Sequence, residues 1–303
     1  MSAGYADGRV AVVTGAARGV GAAVARELSA RGLRVVLLGR ELDSLREVAD
    51  GLPGDSCCIE ADVTDEAAMQ GAARSVAARF GPASVVVANA GIAQAGPFAA
   101  CDAALWNRVI DVNLIGSAVT ARVFLPQLVR TRGYLLQVAS TAAFGSAPMM
   151  SAYCASKAGV ESFARALRME MEPEGVAVGI AYLHWTGTDM IGELDEHVVL
   201  RELRRHQPAP ARRVYTAARV ATWLVHAVER RSPTVYAPPW LRVAQPLRPL
   251  FPYVVARVAR RSLARMSAAE LHRVSGVLGT GGRADWDGAR PAAPTRPTTP
   301  PQT

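Results

Sequence analysis

The chain has 303 residues, half of them hydrophobic and only 20% charged, so it can bury a large single core. Its formal net charge of +8 and pI near 9.8 come from arginine, since Lys157 is the only lysine, which fits a GC-rich coding background as well as a binding adaptation. No zinc spacing, aromatic RNA platform or helix-turn-helix pattern accompanies that charge, which argues against nucleic-acid binding.

Cys57, Cys58, Cys101 and Cys154 lack metal-ligand spacing, so no metal site is expected, and no secretory signal precedes them. Reduced thiols in a cytoplasmic protein are the expectation. Residues Met1 to Gly8 are short and polar, and no apolar run reads as long enough to cross a bilayer, so the expected state is soluble or peripheral.

The first strand-like run, Arg9 to Val13, leads into Thr14-Gly15-Ala16-Ala17-Arg18-Gly19-Val20-Gly21 and then an alanine-rich helix, Ala22 to Arg31. Strand, glycine turn and helix in that order form a phosphate-binding arrangement. Gly15 permits the tight turn, Gly19 lets backbone approach a pyrophosphate, and Gly21 lets helix and strand pack closely. The second strand, Arg34 to Leu38, ends at Gly39-Arg40, where a ribose 2′-hydroxyl would want a carboxylate. Arg40, with Arg18 in the glycine turn, instead suits a 2′-phosphate, favouring NADP(H) over NAD(H), unless both arginines are merely solvated.

A third run, Cys57 to Ala61, ends at Asp62-Val63, where Asp62 either meets an adenine amino group or caps the helix starting near Asp65. Val85 to Ala88 is a fourth buried strand, closed by Asn89-Ala90-Gly91, whose small residues let backbone lie against a ribose or adenine. Asn113 falls inside a long helix around Leu105 to Val129, an unfavourable position unless its amide is used.

The apolar run Leu135 to Ala139 places Ser140 at the C-terminal end of a strand, where open parallel sheets bind ligands. Tyr153 and Lys157 share a helix face at i,i+4, which brings a cation to a phenol and would favour the phenolate. Alone, Tyr-x-x-x-Lys is an ordinary amphipathic helix face; with Ser140 and the glycine turn it becomes a proton-transfer site.

With these motifs in order (Thr14 to Gly21, Asp62, Asn89-Ala90-Gly91, Asn113, Ser140, Tyr153 and Lys157) the chain resembles the short-chain dehydrogenase/reductase family over roughly Asp7 to Val235. The resemblance implies an α/β fold, a Rossmann-type doubly wound parallel sheet in a single domain. It also implies Tyr153 as general acid and base, Ser140 as hydrogen-bond donor to the substrate oxygen, and Lys157 lowering the tyrosine pKa while holding the nicotinamide ribose. Asn113 would anchor a water, Asn89 would stabilise the central strand, and a homodimer or homotetramer would form through the helices around Leu105 to Val129 and Tyr153 to Met171. After the sixth strand, Ala177 to Tyr182, the family's usual Pro-Gly is replaced by Leu183-His184-Trp185-Thr186-Gly187-Thr188. Thr188 is retained for the carboxamide, His184 is expected to be a structural hydrogen-bonder, and Trp185 either walls the substrate or packs in a lid.

The division expected is a cofactor-binding and catalytic domain over 1–235, a basic amphipathic C-terminal helical extension over 236–283, and a disordered Pro, Ala and Thr-rich tail over 284–303. Within the extension, Phe251 to Met266 reads as an amphipathic helix with Arg257, Arg260, Arg261 and Arg265. Residues 240–266 either lie at an anionic membrane surface or pack on the substrate cleft or a neighbouring subunit. Either placement suits an apolar substrate such as a lipid, steroid or polyketide-type ketone. The function expected is carbonyl and alcohol interconversion with NADP(H); the alternative is a non-catalytic NADP(H)-sensing protein on the same fold.

Overall fold

The computed structural model describes residues 8–145, 147–196, 198–263 and 276–289. Short runs of β-branched and aliphatic residues form β1 (Val10–Thr14), β2 (Arg34–Gly39), β3 (Ser56–Glu60), β4 (Val85–Ala88), β6 (Tyr134–Ser140), β7 (Ala177–Leu183) and β10 (Thr234–Ala237). They pair in parallel in the order β10-β7-β6-β4-β1-β2-β3. The chain moves outward from β1 to β2 and β3, then returns to the other side at β4. That reversal opens a crevice beyond the carboxyl ends of β1 and β4, the place where doubly wound sheets bind ligands.

Successive strand residues serve opposite faces, as strand geometry requires. Val12 and Val36 pack with Met69, Val112, Phe124 and Val160 on one face, while Val13 and Val35 pack with Val24, Leu28, Leu45 and Leu224 on the other. The first layer is supplied by α3 (Glu66–Phe80), α5 (Gly116–Thr131) and α6 (Ser151–Met171), the second by α1 (Gly19–Ala30), α2 (Leu42–Asp50) and α10 (Ala217–Glu229).

The long helix expected around Leu105 to Val129 is three pieces: α4 (Ala103–Ile110), a π-helical turn at Asp111–Ile115, and α5. The turn carries Asn113, whose side chain is tied sideways into the fold. By length and composition Ala103–Thr131 could cross a membrane, contrary to the expectation that no run is that long. Half of its most apolar window is buried inside the fold, as in a core helix.

Small elements cover the carboxyl side of the sheet: β5 (Ala93–Ala95), β8 (Thr186–Gly187), α7 (Asp189–Glu196), α8 (Val198–Arg205), α9 (Ala209–Arg212) and β9 (Tyr215–Thr216). Beyond β10 come α11 (Leu241–Ala244) and α12 (Phe251–Leu263); residues 264–266 of the expected helix lie outside the described ones. β11 (Gly276–Leu278) then pairs antiparallel with β5, and α13 spans Thr280–Ala289. Helix α13 corrects the expectation of disorder from Ala284: six of those residues are helical, because the segment is held by specific polar contacts that composition does not reveal. The rest of that tail lies outside the described residues.

Candidate active site and cofactor cleft

At the carboxyl edge of the sheet lies a cavity of about 1510 Å³. Every residue expected at the site except Asn113 lines it. Its volume exceeds the several hundred Å³ typical of a single drug-sized ligand and leaves room for a dinucleotide beside a substrate.

The glycine turn behaves as its residue types require. Gly15 (φ +64°) and Gly19 (φ +55°) adopt the left-handed region, and a Cβ on Gly21 would overlap the carbonyl oxygen of Gly15. Helix α1 starts at Gly19 with no acidic residue in its first turn, so its positive end is not neutralised from within. That combination fits a pyrophosphate. Thr14 ties the turn to β4: its Oγ1 accepts from the N–H groups of Asn89 (3.0 Å) and Ala90 (3.1 Å). Asn89 returns the link, donating from Nδ2 to the carbonyls of Thr14 (3.0 Å) and Gly15 (3.3 Å). Asn89 therefore clamps the β1 and β4 ends together. Gly91 is small because a Cβ there would lie 3.1 Å from Asn113 Oδ1 and 3.4 Å from Lys157 Nζ.

The proton-transfer set converges as the sequence implies. Ser140 ends β6 and its Oγ accepts from the Ala142 N–H (3.1 Å), leaving the hydroxyl hydrogen to be donated elsewhere. The side chains of Ser140 and Tyr153 are hydrogen-bonded to each other. Lys157 is buried one turn further along α6, donates to the Val138 carbonyl (3.0 Å), and lies 5.8 Å from the Tyr153 ring centre. Burial pulls the Lys157 pKa down to about 8. Tyr153 departs from expectation: burial raises its pKa, the bond from Ser140 works against that rise, and Lys157 does not reverse it. The ammonium is directed to the main-chain carbonyl of Val138.

Asn113 is fully buried, and its amide is consumed by the fold. Oδ1 accepts from the Ile92 N–H (2.8 Å), while Nδ2 donates to the Ile92 carbonyl (3.0 Å) and to Ser156 Oγ (2.9 Å). It is a satisfied buried amide that positions the segment after Gly91. Ser156 in turn donates to the Tyr153 carbonyl (2.8 Å), so the π-helical turn is linked to the helix carrying Tyr153.

Around the unusual loop, His184 Nε2 donates to the Ala211 carbonyl (2.7 Å), so Nδ1 accepts from Thr141 Oγ1 (3.0 Å). Burial lowers its pKa, which keeps the ring neutral, and it is a structural hydrogen-bonder as expected. Trp185 both lines the cavity and packs with the lid residues, and its indole N–H donates to Gln207 (2.9 Å). Thr188 sits over the phosphate turn, 3.2 Å from where a Gly19 Cβ would be. Buried Cys154 accepts from the Ala147 N–H (3.4 Å) and its pKa is raised by burial, a poor nucleophile; all four cysteines are unpaired thiols.

The adenosine end is more crowded than the sequence suggests. Asp65, not Asp62, caps α3, accepting from the Ala68 N–H (3.0 Å). Asp62 accepts from Thr64 through Oδ1 and from Arg108 Nη2 through Oδ2 (2.6 Å). Burial pushes its pKa up, but the bonds from Thr64 and Arg108 outweigh that and hold it below the usual range. Arg18 is paired with Glu41, and Arg40 with Asp285 (2.7 Å). Arg108 and Asp285 were not legible as site residues, because neither lies in a motif and they meet only when α13 folds back over the cleft.

Comparison with known proteins agrees with the fold. Residues 9–198 match the profile of the short chain dehydrogenase family. The chain belongs to that family. It is 33% identical over 193 residues to dehydrogenase/reductase SDR family member 7B of Bos taurus, covering 59% of each protein. It is 34% identical over 193 residues to a glycine betaine reductase of Emericella nidulans, covering 62% of this chain and 15% of that longer enzyme. A metagenomic short-chain oxidoreductase solved in complex with NADP superposes with a TM-score of 0.56 at 33% identity, covering 59% of this chain and 83% of that one. The chain thus spans less than two thirds of the length of these two curated relatives.

Proposed function

We propose that the protein is an NADP(H)-dependent oxidoreductase that interconverts a ketone or aldehyde and an alcohol on an apolar small molecule. The observation that carries this reading is the Tyr153 hydroxyl bonded to Ser140, above buried Lys157, within a cavity that also holds the glycine turn. The bound cofactor would supply or accept the hydride. The chain's own residues do the rest: Ser140 orients and polarises the carbonyl oxygen, Tyr153 transfers the proton at that oxygen, and Lys157 supplies positive charge beneath it. Asn113 acts by holding the main chain that follows Gly91 and, through Ser156, the turn carrying Tyr153.

The substrate end supports an apolar ligand. Met150, Trp185, Leu194, Leu200, Phe251 and Val255 line it. NADPH and NADH oxidation by the purified protein over a panel of apolar ketones and aldehydes tests the reading; preferential NADPH oxidation with at least one of them is expected. NADPH binding without turnover on any member would favour a cofactor-sensing protein instead.

The mouth of the same cavity suits an anionic membrane surface. Val243, Leu247, Leu250, Tyr253 and Val254 are all more than half exposed, and Val254 also lines the cavity. Arg242, Arg257, Arg260 and Arg261 are exposed among them, and no Asp or Glu occurs between Glu229 and Glu270. Apolar side chains reaching the acyl boundary with arginines at phosphate level is the pattern of interfacial helices. Cosedimentation with vesicles containing phosphatidylserine is expected to retain the protein, with retention weakened by salt and by Leu250→Asp together with Tyr253→Asp. Retention indifferent to both would discard the surface, and an altered oligomeric state of the variant in its place would make the patch a subunit contact. A homo-oligomer through the α4, α5 and α6 faces belongs to the same proposal.

A further inference from the structure

Helix α13 lies on the two arginines that a 2′-phosphate would use. Asp285 is buried, with 8% of its surface exposed, and grips two guanidinium groups at once. Its Oδ1 accepts from Arg40 Nη1 (2.7 Å) and Arg108 Nη2 (2.7 Å), its Oδ2 accepts from Arg108 Nε (2.8 Å), and its main-chain carbonyl accepts from Arg40 Nη1 (2.8 Å). The other Arg40 nitrogens are close to the same cluster: Nε lies 3.6 Å from Asp62 Oδ2, and a Cβ on Gly288 would overlap Nη2. At the other end of the helix, a Cβ on Gly281 would come within 3.3 Å of the Arg18 side chain. The backbone of α13 therefore rests directly on both basic residues.

The segment is also anchored on the lid side, where Val277 and Leu278 are buried and Leu278 joins the cluster of Met150, Leu194 and Leu200. Three residues of β11 pair with β5, Gly279 N–H donates to Glu193 (2.7 Å), Arg283 pairs with Glu193 (2.5 Å), and Thr280 donates to Asp189 (3.0 Å). Glu193 and Asp189 belong to α7, on the substrate side of the cavity, and the Arg283 and Thr280 bonds are exposed ones. Pairs of that kind contribute about 1 kcal/mol or less each.

The charges at the adenosine end are balanced: Arg40 and Arg108 against Asp62 and Asp285. A phosphate monoester carrying about −1.5 to −2 charges at neutral pH could join this cluster only by displacing a carboxylate. Asp62 is anchored by its own Thr64 turn, whereas Asp285 arrives on a separate segment. We propose that Asp285 is a built-in competitor for the cofactor 2′-phosphate: it sets the discrimination between NADP(H) and NAD(H), and NADP(H) binds as α13 lifts from Arg40. This rests on the cofactor assignment above but not on turnover. Binding and lifting are then linked reciprocally, so whatever steadies α13 on α7 weakens NADP(H).

The test is cofactor binding by the full chain, followed by NADPH fluorescence or calorimetry, without substrate. Asp285→Asn is isosteric and uncharged; it is expected to tighten NADPH about tenfold or more, within the usual range of coupling effects, and leave NADH nearly unchanged. The same substitution placed on Arg40→Ala should give no tightening. In the unsubstituted protein, amide hydrogen exchange over residues 280–289 should accelerate with saturating NADPH and not with NADH. Unchanged or weaker NADPH binding by Asp285→Asn, with NADH binding intact, would overturn the inference alone. Weaker NADH binding would overturn it by making Asp285 an acceptor for the ribose hydroxyl. If neither cofactor binds any variant, this inference and the cofactor reading fail together. Tightening of NADPH with no turnover on any carbonyl would leave the inference standing while the oxidoreductase proposal failed.

Discussion

Tyr153→Phe is expected to lower turnover by about a thousandfold, the scale of a lost general acid, while NADPH binding stays within about threefold. The phenolic oxygen is the proton-transferring atom in the proposed site, and Phe keeps the ring that packs between the lid cluster and the main core. The lost bond to Ser140 costs the fold about 1 kcal/mol. Single-turnover kinetics with a carbonyl found in the substrate panel, beside a cofactor titration, separates the two effects. Full activity in this variant would remove Tyr153 from the chemistry and with it the proposed mechanism.

The parts of the fold that follow from local pattern were legible. The strand Val85–Ala88 is an unbroken β-branched run with a turn signal on either side, and its limits could be read from the residues directly. The glycine turn was equally plain, because Gly15, Gly19 and Gly21 are each required by a steric fact that only a few neighbouring residues decide. Asn113 shows where pattern reading weakens: the helix was visible, but its π-helical turn depends on an amide bonding Ile92, 21 positions away. The adenosine end is legible only in part for a related reason. Arg40 reads as a partner for a phosphate, but its contact with Asp285 spans 245 residues and reaches a segment whose composition suggests disorder. Contacts of that range carry no local signature, and a short helix rich in Gly and Asp gives no propensity signal either. The resemblance to a family could not supply them, since the extension lies outside the matched residues 9–198.

Lys157→Met is expected to abolish most turnover and at the same time stabilise the protein. The buried ammonium has its pKa pulled down from 10.5 to about 8, so at pH 7 the native state holds a charge that the unfolded chain carries more favourably. That difference corresponds to about 3 kcal/mol. Loss of the bond to the Val138 carbonyl offsets about 1 kcal/mol of it, leaving a gain of about 2 kcal/mol. Because the native pKa lies below the unfolded one, the penalty in the natural protein is full below about pH 8 and vanishes above 10.5. The stability advantage of the variant should therefore shrink across that interval, as read by urea unfolding at pH 7, 9 and 10.5. The same titration predicts the pH profile of turnover. Activity that depends on the Lys157 cation falls above about pH 8 as the ammonium is lost, and residual activity of the variant has no limb there. A natural protein whose rate is flat through pH 8 to 9.5 would show that the cation is dispensable. A variant less stable than the natural protein at pH 7 would instead show that Lys157 serves the structure. Stability surrendered for charge at this one position is what distinguishes a catalytic lysine from one that merely snorkels beside a tyrosine on a helix face.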